Sequence, residues 1–291
     1  MCSIPSARLD GVGMVLGGRD QGASARRSRR WRRDWAGLLG VAVAAATSTA
    51  AFTARAADEE IQVYMDEMDA KGAYGLDVHV NYVSKGRGAD VDYAGQMASQ
   101  GRWRITPEFS YGLTPNIELG AYLPLTTIDE HGKAEVGGVK GRIKFIAPKA
   151  ADSPFFWGVN FELGKVRRDL DINPWNAELK GIAGYRKGPW TVAGNFNVDW
   201  AVSGPARGPT TYQLATKVTY AVHEGFEVGV ENYNGLGDAQ RFGRLSQNDQ
   251  QVFAVVDKSF GKWDLDLGVG HGYGQPEDRW VFKAIVGVPI D

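Results

Sequence analysis

Residues 102–128 read RWRITPEFSYGLTPNIELGAYLPLTTI. Taken two at a time, Trp103, Ile105, Pro107, Phe109, Tyr111 and Leu113 alternate with Arg102, Arg104, Thr106, Glu108 and Ser110. Past Thr114-Pro115-Asn116, Ile117, Leu119, Ala121, Leu123 and Leu125 alternate with Glu118, Gly120, Tyr122, Pro124 and Thr126. Two arms of about eleven residues, apolar on one face and polar on the other, form a β-hairpin pattern, and about eleven residues is what a tilted strand needs to cross a bilayer. Leu113 and Ile117 share the apolar parity, so a three-residue turn is expected, with Asn116 in the left-handed region. That register sets Pro107 opposite Leu123 and Thr106 opposite Pro124. Neither proline can donate to the ladder, which predicts a bulge or kink at this place.

The alternation continues outward from this hairpin in both directions. Twelve strands are expected, at 73–84, 102–113, 117–128, 135–147, 154–166, 176–186, 189–202, 210–222, 225–234, 249–260, 262–273 and 278–290. The connections between them alternate short and long, which is the build of an up-and-down transmembrane barrel with short periplasmic turns and longer outer loops. Aromatic residues of apolar parity fall at both strand ends. Tyr82, Trp103, Trp200, Tyr212 and Trp280 lie toward the loops, and Tyr111, Trp157, Tyr185, Trp190, Tyr220, Phe226 and Trp263 toward the turns. A soluble sandwich also alternates but has no reason to ring both ends with Trp and Tyr. The fold class is therefore all-β, a single antiparallel barrel spanning residues 73–291.

Charges of the opposite parity face the lumen. The candidates are Asp77, His79, Arg104, Glu108, Glu118, Tyr122, Lys140, Arg142, Lys144, Glu162, Glu227, Glu231, Asp264, Asp266 and Lys283. The basic set on strands two and four stands nearly opposite the acidic set on strands nine and eleven, predicting a field across the bore that orients a dipolar solute. The competing expectation is that these charges pair and fill the bore.

An export leader is read over residues 1–56. Six arginines between Arg26 and Arg33 precede the apolar run WAGLLGVAVAAATSTAAF at 35–52, and Ala54-Arg55-Ala56 fits a cleavage site. Cys2, the only cysteine of the 291 residues, falls in that leader, so neither disulfides nor a thiol nucleophile are expected. Nine arginines fall there against three aspartates, so the remainder is acidic, without the basic stripe of a nucleic-acid binder. Residues 57–72 form an acidic periplasmic arm. Its Ile61, Val63 and Met65 alternate with Gln62, Tyr64 and Asp66, and its charge is opposite to that of Lys140, Arg142 and Lys144. It is expected to fold into or across the periplasmic mouth and restrict it.

Enzymatic and metal readings are weak. His271 has the face and level of a rim catalyst, but the nearest serine, Ser246, falls in a loop; His131 and His223 fall in connections. Asp90 and Asp92 offer at most a weak calcium site. No cofactor is expected.

The segments YGLTPNIELGAYLPL (111–125), GGVKGRIKF (137–145) and GVGHGYGQPEDRWVFKAIVGVPI (268–290) resemble a proteobacterial family of outer-membrane barrels described as transporters linked to meta-pathway phenol degradation. The likeness covers most of the chain after Ala70 and rests on structural motifs. It implies the fold and a transport role, and it assigns no functional residues. The expected function is an outer-membrane channel or transporter for a small solute. Its other partners are outer-membrane lipid, lipopolysaccharide and the barrel-assembly machinery, and both termini are periplasmic. The alternatives are a closed or loop-presenting barrel acting through 84–101 and 235–248, and a lipid-modifying enzyme.

Overall fold

The computed structural model describes residues 60–290; the leader expected over 1–56 lies outside them. Among the described residues twelve strands run antiparallel: β1 (Tyr74–Lys85), β2 (Trp103–Thr114), β3 (Ile117–Ile128), β4 (Ala134–Ile146), β5 (Phe155–Val166), β6 (Trp175–Lys187), β7 (Trp190–Ser203), β8 (Thr211–His223), β9 (Phe226–Asp238), β10 (Asp249–Phe260), β11 (Trp263–Gly274) and β12 (Trp280–Gly287). Each pairs with the next, and β12 closes on β1, giving a barrel without an edge. Most ends fall within a residue of the expectation. β9 runs further, to Asp238, because the glycine-rich stretch 235–238 stays paired with β8 past a register shift at Tyr212/Gln213. β12 ends earlier, since Pro289 has no N–H with which to continue the ladder.

The barrel is apolar outside and polar inside. β5 states this most simply: Phe155, Trp157, Val159, Phe161 and Leu163 are exposed, while Phe156, Gly158, Asn160, Glu162 and Gly164 are buried. A protein in water arranges these classes the other way round. The aromatic positions form two rims. At the loop end Tyr82 stacks on Trp103 at 4.5 Å, and at the turn end Tyr74 meets Tyr111 at 4.9 Å, Phe155 meets Tyr185 at 4.6 Å and Trp190 meets Tyr220 at 4.9 Å. Trp190 and Trp200 mark the two rims on β7. At ~3.3 Å a residue and a tilt of ~40°, the strand between them covers roughly 25 Å of height, the apolar band of a bilayer-spanning barrel.

The β2–β3 hairpin carries the expected distortion. Ile105 pairs with Thr126 and Glu108 with Tyr122, so Thr106 and Pro107 oppose three residues of β3, Leu123 to Leu125. The β3–β4 ladder breaks at the same place. Pro107 keeps an unbroken register with Val78 on its other side. The turn itself departs from the three-residue expectation. Thr114 pairs with Ile117, leaving a two-residue turn at Pro115-Asn116, and Leu113 is absorbed as a second register shift. Asn116 does not take a positive φ. Its N–H reaches Thr114 Oγ1 at 3.2 Å and its Nδ2 donates to the Ile146 carbonyl at 2.8 Å, so neighbouring groups fix it without a left-handed residue.

Residues 60–70 form no strand and run inside the barrel. The arm folds under β2 at the turn end, where the Gly72 N–H donates to the Gly112 carbonyl at 2.7 Å. It then passes back up the bore. Ile61, Val63 and Tyr64 are buried in one cluster with Phe156, Ile182, Tyr233, Phe253 and Val281. Strand-like alternation had set Tyr64 against Ile61 and Val63. All three are buried because the wall packs on both faces of the arm at this level, whereas Glu67, nearer the turn end, is exposed.

Candidate functional site in the lumen

Inward parity on neighbouring strands sets the polar side chains against the arm. Near the turn end Asp66 is ion-paired with Lys149 and Arg186, and Glu67 with Arg186. Burial works against ionisation of Asp66, but the hydrogen bonds and charges of Lys149 and Arg186 outweigh it and hold the carboxyl below its ordinary value. The Asp69 N–H donates to Glu118 Oε2 at 2.6 Å, Ser110 donates to the Asp69 carboxylate, and Lys144 donates to the Glu67 carbonyl.

Deeper in, the Asn195 side chain takes the place of a strand partner. It accepts from the Tyr64 N–H at 2.6 Å and donates to the Tyr64 carbonyl at 2.9 Å. The Tyr64 hydroxyl meets that of Tyr122 and lies 3.3 Å from Glu162 Oε1. Lys180, Lys144 and Arg142 stand over its ring at 4.2, 5.3 and 5.7 Å, within reach of cation–π attraction. Lys283 Nζ donates to the Ile61 carbonyl at 3.2 Å.

The expected lumen residues all lie on the inner wall. His79 Nε2 is 2.9 Å from Glu108, Arg142 bridges Glu108 and Glu118, and Lys140 is 3.0 Å from Glu162. Arg104 is 3.6 Å from Asp278 beneath the first loop. Across the bore, Lys283 lies 2.6 Å from Glu231 and 3.2 Å from Asp266, and Lys217 lies 3.2 Å from Glu231 and 3.0 Å from Asp266. Glu227 accepts from Thr219, and Asp77, Glu227 and Asp264 line the turn-end cavity. The field expected across the bore is not formed. Both of these walls carry both signs, because Glu108 and Glu118 flank Arg142, and Lys217 and Lys283 flank Glu231.

Lys180, Asn195 and Lys217 belong to the same belt and were readable from parity. Tyr64 was not, since nothing in a strand period marks a segment packed from all sides. His271 lies on the outer surface, its ring edge-on to Trp280 at 4.6 Å. Asp92 is bound by Arg87 and Gln96, and Asp90 accepts the Gly95 N–H at 2.5 Å, so these two carboxylates serve the first loop's own fold.

Two cavities flank the arm. One of about 820 Å³ opens at the turn end, between the arm and β1, β9, β10 and β11. The other, of about 150 Å³, lies toward the loops against β5, β6 and β7. Gln62 lines both, so the arm is the wall between them.

A scan against family models finds no match, and a search of curated proteins finds none either. Solved structures share the fold. The KdgM porin in complex with disordered oligogalacturonate aligns with a TM-score of 0.51 at 10% identity, covering 75% of this chain and 99% of the porin. An outer membrane channel from Pseudomonas putida F1 aligns with a TM-score of 0.51 at 14% identity, covering 78% and 99%. Nearly the whole of each neighbour is matched, so the likeness is to a complete barrel. This chain has the architecture of those two.

Proposed function

We propose that the chain is an outer-membrane channel for a small solute, with its N-terminal arm as a plug that restricts the bore. The inverted surface, the two aromatic rims and the band of roughly 25 Å between them support insertion in a bilayer. The observation that carries the channel reading is the pair of polar cavities separated by one stretch of arm. Around Tyr64 the arm is held by hydrogen bonds, cation–π contacts and apolar packing, with ion pairs at Asp66 and Glu67, all of which are reversible. The export leader, the periplasmic placing of the short turns, insertion by the barrel-assembly machinery and contact with lipopolysaccharide follow from the same reading. The hairpin and C-terminal motifs favour the transporter family linked to meta-pathway phenol degradation as its relatives.

A closed barrel is the second reading. Full burial of His79, Tyr122, Glu162 and Glu231 at mid-bore favours it. Liposome swelling separates the two: vesicles carrying the purified chain are expected to swell in small polar solutes faster than empty vesicles. Identical rates would leave the closed barrel standing.

A further inference from the structure

On the loop side of the arm the sheet register sets three carboxylates abreast. Glu162 on β5 faces Glu178 on β6, and Glu178 faces Asp199 on β7. All three line the 150 Å³ cavity. Like charges directly opposite one another weaken a sheet. The cavity's two lysines stand toward the Glu162 end of this row: Lys140 is 3.0 Å from Glu162, and Lys180 is 3.3 Å from Glu178 and 3.7 Å from Glu162. The arm adds Glu60 to the lining, so carboxylates outnumber ammonium groups there four to two; Asp171 of the β5–β6 loop also lines it, but its carboxylate accepts from the Asn173 N–H at 2.7 Å and from Asn176 Nδ2 at 3.0 Å.

A second observation does not depend on charge. Asn197 is only 7% exposed and lines the same cavity. Its Nδ2 donates to Gln213 Oε1 at 3.0 Å, while its Oδ1 is buried without a donor. A carbonyl oxygen left in that state costs free energy until an N–H or O–H reaches it.

We infer that this cavity is a binding site for a small organic cation with several N–H donors, an ammonium or guanidinium compound. The space fits, since a cavity of about this volume takes up a molecule the size of benzene. The cation's donors meet Asn197 Oδ1 and the Glu178–Asp199 pair, and its charge relieves the repulsion along the row. The binding site stands on this geometry alone; as the solute class of the channel it rests on the transport reading above. The turn-end cavity has a row of the same register, Glu227, Asp257 and Asp266 abreast on β9, β10 and β11, but there Lys217 lies 2.8 Å from Asp257 and 3.0 Å from Asp266 and compensates it.

Saturation-transfer NMR on the full chain in detergent, with propylammonium and propionate as paired probes, tests the site without needing a current. Transfer to propylammonium and not to propionate is expected. The double variant Glu178→Gln, Asp199→Asn, still migrating as a folded barrel before heating, should lose affinity at least tenfold. Asn197→Ala, which leaves the charges alone, should lose severalfold. Equal transfer to both ions, or unchanged affinity in either variant, overturns the inference. Cation binding without any conductance would sink the channel reading and leave the site, and conductance without cation binding would do the reverse.

Discussion

Lys283 and Glu231 have no exposed side-chain surface and lie 2.6 Å apart in the wall of the bore. Removing one member of a buried pair leaves the other charged and dry, which costs far more than the pair itself contributes. Lys283→Met should therefore destabilise the barrel by about 3 kcal/mol, read from urea unfolding in vesicles; a change under about 0.5 kcal/mol would mean that water reaches the pair. Gly270 makes room for the ring beside this pair, because a Cβ there would lie 2.3 Å from Phe253 Cε1, and Phe253 is fully buried. Gly270→Val should cost about 1–3 kcal/mol through overpacking in the same assay, and Gly270→Ala less.

Asp66 gives the arm a dependence on pH. Its carboxyl is held below the ordinary value of 3.8 by Lys149 and Arg186. A depressed carboxyl contributes its full attachment above the ordinary value and loses it as pH falls through the lower folded one. Acid below about pH 4 should thus loosen the arm and raise conductance, and Asp66→Asn should show the loosened state already at neutral pH. A current flat from pH 7 to pH 3 in the unmodified chain would refute this.

The strands and the arm differ in what holds them, and this decides how well each could be read. β5 is legible in FFWGVNFELGKV because lipid-facing and lumen-facing sides alternate strictly, and the sheet obeys that period whatever its neighbours do. The distortion in the β2–β3 hairpin was legible too, since proline's missing donor acts locally. The turn at Pro115-Asn116 was not: Ile146, thirty residues away in β4, supplies the contact that fixes Asn116. The arm's acidity was legible, its partners and shape were not. Asp66 and Glu67 pair with Lys149 and Arg186 rather than with Lys140, Arg142 and Lys144, of which Lys144 reaches only the Glu67 carbonyl, and Asn195 and the surrounding wall, not a strand period, decide that Tyr64 is buried. Asn195→Ala leaves the Tyr64 N–H and carbonyl without their partner. It should expose the arm to a glutamate-specific protease cutting after Glu60 or Glu67, while the intact chain resists. Equal protection in both would show that the arm is held elsewhere.

For the molecule as a whole, the lumen's polarity was readable from side-chain parity, whereas the pattern of its charge was not. Pairing depends on which inward residues stand abreast, and register decides that: it joined Arg142 to Glu108 and Glu118 and put Lys217 and Lys283 among the acids. The result is a bore whose walls carry both signs, crossed by one acidic stretch of chain, residues 60–70. In the channel reading that stretch is the barrier. Single-channel recording in planar bilayers, comparing the full chain with a variant lacking residues 58–70, tests this directly. Small currents are expected from the full chain and severalfold larger ones from the deletion. An unchanged current would contradict that reading.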